Sequence, residues 1–99
     1  MSKTFSDFLR HDQRLVLLRL LAEMPSYRAN SSVLAIALER YGHAMTRDQV
    51  KTELRWLEEQ GLLSIEDLDT VLVATLRERG QDVATGRTTV PGVKRPGAA

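Results

Sequence analysis

The stretch from Thr46 to Ala84 constrains the fold most, because two helix-start signals there enclose a strand–turn–strand pattern. Thr46 and Gln49 stand at capping-box spacing: the Thr side chain accepts from the backbone N–H three residues on, and the Gln side chain reaches back to the cap. Thr75 and Glu78 repeat that spacing. One helix is therefore expected from about Arg47 to Gly61, burying Val50, Leu54 and Leu57. A shorter one is expected from Leu76 to about Ala84, turning Leu76 and Val83 inward before Gly86. Between them, Leu62, Leu63 and Ile65 read as a strand, Glu66-Asp67-Leu68-Asp69 as an acidic turn, and Thr70 to Ala74 as the return strand.

The first half of the chain reads as helical. In residues 12–24, Leu17, Leu20, Leu21 and Met24 recur at helical spacing, Leu15 and Leu18 widen the apolar arc, and Pro25 stops it. An arc this wide suits either the central helix of a domain or a seam between two copies. Phe5 and Phe8, one turn apart, are placed on a short N-terminal helix or arm covering part of that seam. A second helix starts at Asn30 or Ser31, carries Leu34, Ala37, Leu38 and Tyr41 on one face, and ends at Gly42. The element order α-α-α-β-β-α is that of a winged helix-turn-helix: mainly α, with a β-hairpin as the wing. It occupies residues 1–86, and residues 87–99 follow as a basic, Pro/Gly-containing C-terminal arm, extended and ordered only against a partner.

Composition narrows the function classes. A chain of 99 residues fits one small domain with a modest core, which makes a homodimer worth expecting. The absence of cysteine excludes disulfides, thiolate catalysis and the common zinc-finger ligand sets, and suits a reducing compartment, so a cytoplasmic location is expected. Neither a bilayer-length apolar run nor a signal-peptide pattern is present, and no membrane partner is expected. All 13 acidic residues precede residue 87, whereas Arg87, Lys94 and Arg95 are three of the 14 Lys/Arg, so residues 1–86 balance at −2 and the tail at +3. That balance does not announce tight nonspecific binding to nucleic acid.

In a helix-turn-helix reading, residues 31–41 and 47–60 are the paired helices and residues 62–75 the wing. With Val50, Leu54 and Leu57 inward, the outer half of the third helix carries Asp48, Lys51, Thr52, Arg55 and Glu59. Arg47, Lys51 and Arg55 recur every four residues, a spacing that combines phosphate contacts with one base-reading Arg; Thr52 adds a weaker contact. The competing use of the same charges is a solvated helix paired through Asp48, Glu58 and Glu59. Glu66, Asp67 and Asp69 oppose wing contact with phosphate, so either the wing points away or DNA is not the ligand. Asp67 and Asp69 also suit a tight turn, bonding nearby amides.

Arg87, Lys94 and Arg95 can track a phosphate backbone or a minor groove, solubilise the end, or accompany Val90, Pro91 and Val93 across a second subunit. Trp56 lies about 130° from the centre of the buried stripe, either as an exposed interface anchor or folded against the hairpin or N-terminal arm. Phe5, Phe8, Leu15, Leu18 and Trp56 are the candidate protein-interface residues. His11 and His43 lack a second His or carboxylate at ligand spacing. No nucleophile–base constellation or phosphate-binding glycine motif is present, so neither an enzyme nor a metal or other cofactor is expected.

Two runs carry a family resemblance. Leu57 to Leu62 within LRWLEEQGLL, and Thr75 to Gly80 opening TLRERGQDVA, resemble the winged-helix superfamily of ArsR, MarR and PadR regulators. The whole chain, with VPGVKRP at Val90 to Pro96, is similar to small winged-helix proteins of Mu-like phages and prophages. The resemblance implies a cytoplasmic, phage- or prophage-encoded protein that binds double-stranded DNA in transcription regulation or phage DNA metabolism. The alternative is a module that docks on a host or phage protein through the acidic wing and Trp56, without DNA. The chain departs from those regulators in lacking Cys or paired-His sensor sites and in its acidic wing.

Overall fold

Thr4 starts the first helix. Its side chain accepts from the Asp7 N–H at 3.0 Å, and the Asp7 carboxylate accepts from the Thr4 N–H at 3.4 Å. Helix α1 then runs unbroken through Phe5–Glu23. The expected separate N-terminal helix or arm is thus corrected: Phe5 and Phe8 occupy the first two turns of the long helix, because the Thr4–Asp7 box places the start ahead of them. In the computed structural model residues 4–97 are described; the extreme ends of the expected domain and arm, residues 1–3 and 98–99, lie outside the described residues.

After α1 come a single 3-10 turn (Pro25–Tyr27), β1 (Arg28–Asn30), α2 (Ser31–Arg40), α3 (Arg47–Glu59), β2 (Leu63–Asp67), β3 (Leu72–Leu76) and α4 (Glu78–Thr85). The strands form one antiparallel sheet in the order β1-β3-β2, with Ile65 opposite Ala74 and Ala29 also opposite Ala74. Three helices leading into a β2–β3 hairpin, with β1 as the third strand, make the winged-helix fold. Strand β1 had no counterpart in the expected order; its three residues become a strand only because the free edge of β3 accepts them.

Local signals set most element ends. Thr46 and Gln49 close the expected capping box on α3, and Asn30 caps α2 by accepting from the Val33 N–H at 2.9 Å. Gly61, at φ +76°, ends α3 with the Gly61 N–H on the Glu58 carbonyl and the Leu62 N–H on the Leu57 carbonyl, a Schellman arrangement. The second expected capping box does not form. Thr75 stays in β3, opposite Ser64 and Arg28, and α4 begins at Glu78 without a side-chain cap. Sheet pairing has taken the residue that the capping pattern claimed.

The core is leucine-rich. Leu15, Leu17, Leu18 and Leu21 of α1 meet Leu34 and Leu38 of α2, Val50, Leu54 and Leu57 of α3, the sheet residues Leu63, Leu72, Ala74 and Leu76, and Val83 of α4. Of the two uses left open for the wide arc of α1, the central helix is the one observed: Leu15 and Leu18 are 2% and 0% exposed within a single chain. They are therefore not available as an interface between copies. Tyr41, placed inward by its spacing, is exposed: α2 ends at Arg40, and Tyr41 stands beyond it as the C-cap, off the helical spacing that placed it inward. Gly80 is buried in the first turn of α4, where a Cβ would collide with the Leu62 carbonyl oxygen.

Two charged side chains lie inside this core. Arg14 and Glu53 are each 8% exposed, and Arg14 Nε donates to Glu53 Oε1 at 2.6 Å. Arg14 Nη1 donates to the Gly92 carbonyl at 3.0 Å, and its Cζ lies 3.7 Å from the centroid of the Trp56 ring. Arg10 adds a longer contact to Glu53 at 3.6 Å.

This cluster corrects the expectation for the tail. Residues 87–97 do not wait for a partner: Val90 and Val93 are buried in the core, and the Lys94 N–H donates to the His11 carbonyl. Gly92, at φ +99°, lets the backbone pass so close to Trp56 that a Cβ would sit 2.7 Å from the ring.

Glu53→Gln should lower unfolding stability by about 3 kcal/mol, because it leaves the Arg14 guanidinium buried beside a neutral amide. A loss below about 1 kcal/mol in urea titration would show that the pair is dispensable. Ending the chain at Gly86 should cost at least about 3 kcal/mol, from two buried valines and the lost carbonyl acceptor of Arg14. An unchanged denaturation midpoint would return the tail to the status of a separate arm.

Candidate nucleic-acid interface

With Val50, Glu53, Leu54 and Leu57 turned inward, α3 presents Arg47, Asp48, Lys51, Thr52, Arg55 and Glu59 on its outer half. The expected face therefore exists, but its cations differ in availability. Arg47, in the first turn, is exposed and has no ion pair among the described residues. Lys51 Nζ donates to the Thr70 carbonyl at 3.1 Å, tying the helix to the wing turn. Thr52 Oγ1 donates to the Asp48 carbonyl at 3.0 Å, a bond back along its own helix.

Arg55 is held twice. Nη2 pairs with Asp67 Oδ2 at 2.9 Å, and Nη1 with Glu58 Oε1 at 3.3 Å. Asp67 in turn uses Oδ1 to accept from the Asp69 N–H at 2.8 Å. That bond shapes the tip, where Asp69 takes the left-handed conformation at φ +73° that Asp tolerates better than most residues. Glu66 pairs with Arg28 of β1 at 2.9 Å. Two of the three wing acids are thus counter-ions within the chain, and the turn role expected for Asp67 is present. Leu68, between these acids at the tip, is half exposed.

The tail cations stand elsewhere. Lys94 Nζ lies 3.5 Å from Asp12 Oδ1 and 5.4 Å from the Phe8 ring centroid, so α1 holds it, not the wing. Asp12 also accepts from His43 Nε2 at 2.7 Å, which joins α1 to the turn before α3. Arg87 follows α4 with its N–H on the Asp82 carbonyl; its side chain and that of Arg95 are exposed.

Of the candidate interface residues, Phe5 and Phe8 remain on the surface, 74% and 51% exposed, their rings stacked with centroids 6.5 Å apart. Trp56 is only partly exposed, between the Arg14 guanidinium and Gly92, and so is no free anchor. The partners that hold it are Arg14 of α1 and Gly92 of the tail. Sequence reasoning also missed an apolar stripe on the outside of α2, where Val33 and Ile36 are exposed one turn apart, with Tyr41 just beyond the helix end. Its spacing was readable as a second, outward face.

Among the described residues, no three His, Asp or Glu side chains gather as a metal-holding group, and no helix is long and apolar enough to cross a membrane.

No protein-family model matches the chain. Its fold is similar to that of Sco3205, a MarR family transcriptional regulator from Streptomyces coelicolor solved in complex with DNA. The TM-score is 0.61 at 28% identity, over 88% of this chain and 55% of the regulator. The chain thus spans about half the length of that protein. In sequence it is 49% identical over 77 residues to an uncharacterized protein of Haemophilus influenzae, covering 77% of this chain and 74% of the relative. It is 48% identical over 91 residues to the uncharacterized protein gp26 of Escherichia phage Mu, covering 92% of this chain and 94% of gp26. With nearly the full length of both proteins aligned at that identity, the chain belongs to the family of phage Mu gp26.

Proposed function

We propose that this protein is a winged-helix DNA-binding protein that lays α3 in the major groove as a homodimer, in transcription regulation or DNA metabolism of a phage or prophage in the cytoplasm. One observation carries the reading. Arg47, Lys51, Thr52 and Arg55 share the solvent face of the helix that follows the turn, in a fold similar to that of a regulator solved on DNA. The likeness to gp26 of phage Mu supports the phage context. Arg47 is the first phosphate contact, since no ion pair among the described residues competes for it, and Arg55 is the base-reading candidate.

Homodimerisation is supported by the stacked, exposed Phe5–Phe8 pair beside the tail, where Pro91 and Lys94 line a groove of roughly 390 Å³ with Phe8. Leu15, Leu18 and Trp56 no longer contribute to that reading, being engaged within one chain. A second reading, docking on a host or phage protein, is favoured by the exposed stripe of Val33, Ile36 and Tyr41 and by the internal pairing of Arg55.

Fluorescence anisotropy on a labelled duplex separates the two. A DNA reader binds at low salt and loses affinity steeply as salt rises, and Arg47→Ala makes the log–log slope shallower by about 0.9 per bound copy, the share of one phosphate contact. No binding at low salt would leave the protein-docking reading in its place. Light scattering should report a dimer at tens of micromolar, and Phe5→Ser with Phe8→Ser should shift it to monomer; a monomeric parent chain would sink the dimer.

A further inference from the structure

The acidic wing raises a question that the fold alone does not answer: why a chain with a DNA-reading architecture carries three carboxylates at the tip nearest its reading helix. The geometry has a specific form. The two oxygens of Asp67 have separate tasks, one fixed by the Asp69 N–H and the other on Arg55 Nη2. The wing turn therefore holds the carboxylate in place, and the carboxylate holds the guanidinium. Glu58 occupies the other terminal nitrogen of Arg55. The two parallel N–H groups with which an Arg grips guanine or phosphate are both engaged, by groups with the same charge and acceptor geometry as a phosphate.

We propose that Asp67 is a built-in competitor for DNA at Arg55, setting the affinity threshold so that only a duplex offering a full set of contacts displaces it. This rests on the DNA-binding reading above. Arg55 and Asp67 have side chains 44% and 56% exposed, so the pair is solvated and weakly held. Such a lock is too weak to prevent binding. It suffices to penalise a duplex that offers only backbone charge, because every nonspecific encounter must break the pair and replace it with a single phosphate contact. Lys51, which donates to a backbone carbonyl of the wing, carries no such charge competitor among the described residues. Asp67 is thus a specificity-determining residue that touches no base.

Asp67→Asn is the appropriate change, since the amide oxygen keeps the turn bond to the Asp69 N–H while the charge is removed. The probe is a fluorescein-labelled duplex of mixed sequence, titrated with the full chain between about 50 and 200 mM salt. The variant should bind about three- to tenfold tighter at the low end, with a log–log salt slope steeper by about 0.9 per bound copy, and Arg55→Ala added to it should abolish the gain. A purely structural role for Asp67 would not steepen the slope.

Glu58→Gln, which leaves the wing untouched, should shift affinity in the same direction by a smaller factor, and decides the matter if Asp67→Asn fails to fold. If the parent chain binds and neither variant gains, the competitor role falls while the DNA reading stands. If the parent chain is silent and the variants bind, the competitor role is supported. If none of the three binds at low salt, both fall.

Discussion

The arrangement depends on a buried ion pair. Moving an Arg and a Glu out of water costs more than their attraction returns unless the geometry is close and the remaining donors find acceptors. Here both conditions hold: the 2.6 Å contact of Arg14 to Glu53 is completed by the Gly92 carbonyl and by the face of Trp56. No buried side-chain nitrogen or oxygen among the described residues lacks a partner. The cost of breaking such a pair is the cost of an orphaned charge, so α1, α3 and the tail can meet in only one way. Apolar packing alone would tolerate a slide of one leucine past another. The Arg14–Glu53 pair would not.

A second, solvated layer of charge sits on the opposite side of α3. Asp67 to Arg55, Glu66 to Arg28 and Lys51 to Thr70 fasten the hairpin to the helix and to β1. Each contact is weak in water. Together they leave the wing with much less free charge than its sequence suggests, and they do the same to α3. The negative wing and the positive helix, which seem to contradict each other when read separately, are two halves of one internally compensated surface. Any ligand for α3 therefore meets Arg47 as a cation with no ion pair among the described residues and Arg55 as one already occupied.

This explains which parts were legible in the sequence. Helices α2 and α3 were, because their caps and apolar stripes lie within a few residues of each other and no distant partner is needed to read them. Strand β1 was not: Arg28, Ala29 and Asn30 have no strand pattern, and their conformation is imposed from β3, more than 40 residues away. Thr75 shows the same hierarchy, since a ladder of hydrogen bonds on both sides outweighs one cap bond. The three cations expected on α3 are on its outer face, but the pairing of Lys51 and Arg55 with the wing needed the hairpin register. The tail misled through composition, because Pro and Gly suggest freedom, whereas Gly92 serves contact with an aromatic ring. One signal went unused. Arg14 stands one turn before Leu17 and Leu18, and Glu53 between Val50 and Leu57, so each charge interrupts an apolar stripe. Two opposite charges on two buried faces predict each other.

The charge accounting also links the two parts of the proposed function. Salt-sensitive affinity scales with the number of phosphates neutralised, and one domain with few unpaired cations on α3 neutralises few. Alone, it would hold duplex DNA weakly. Two copies change this, because the second engagement becomes intramolecular and is favoured by effective concentration. The dimensions permit it: the domain measures 38 × 26 × 24 Å, and paired reading helices on one face of a duplex are spaced about 34 Å apart. An internally compensated domain gains most from such doubling, since its single-site binding is kept low while its paired binding rises roughly as the product. On this argument the exposed Phe5–Phe8 stack and the occupied Arg55 are not separate features. A surface that holds down binding by one copy gains most where a second copy restores it, so evidence for a strictly monomeric chain would remove this coupling while leaving the competition between Asp67 and DNA for Arg55 in place.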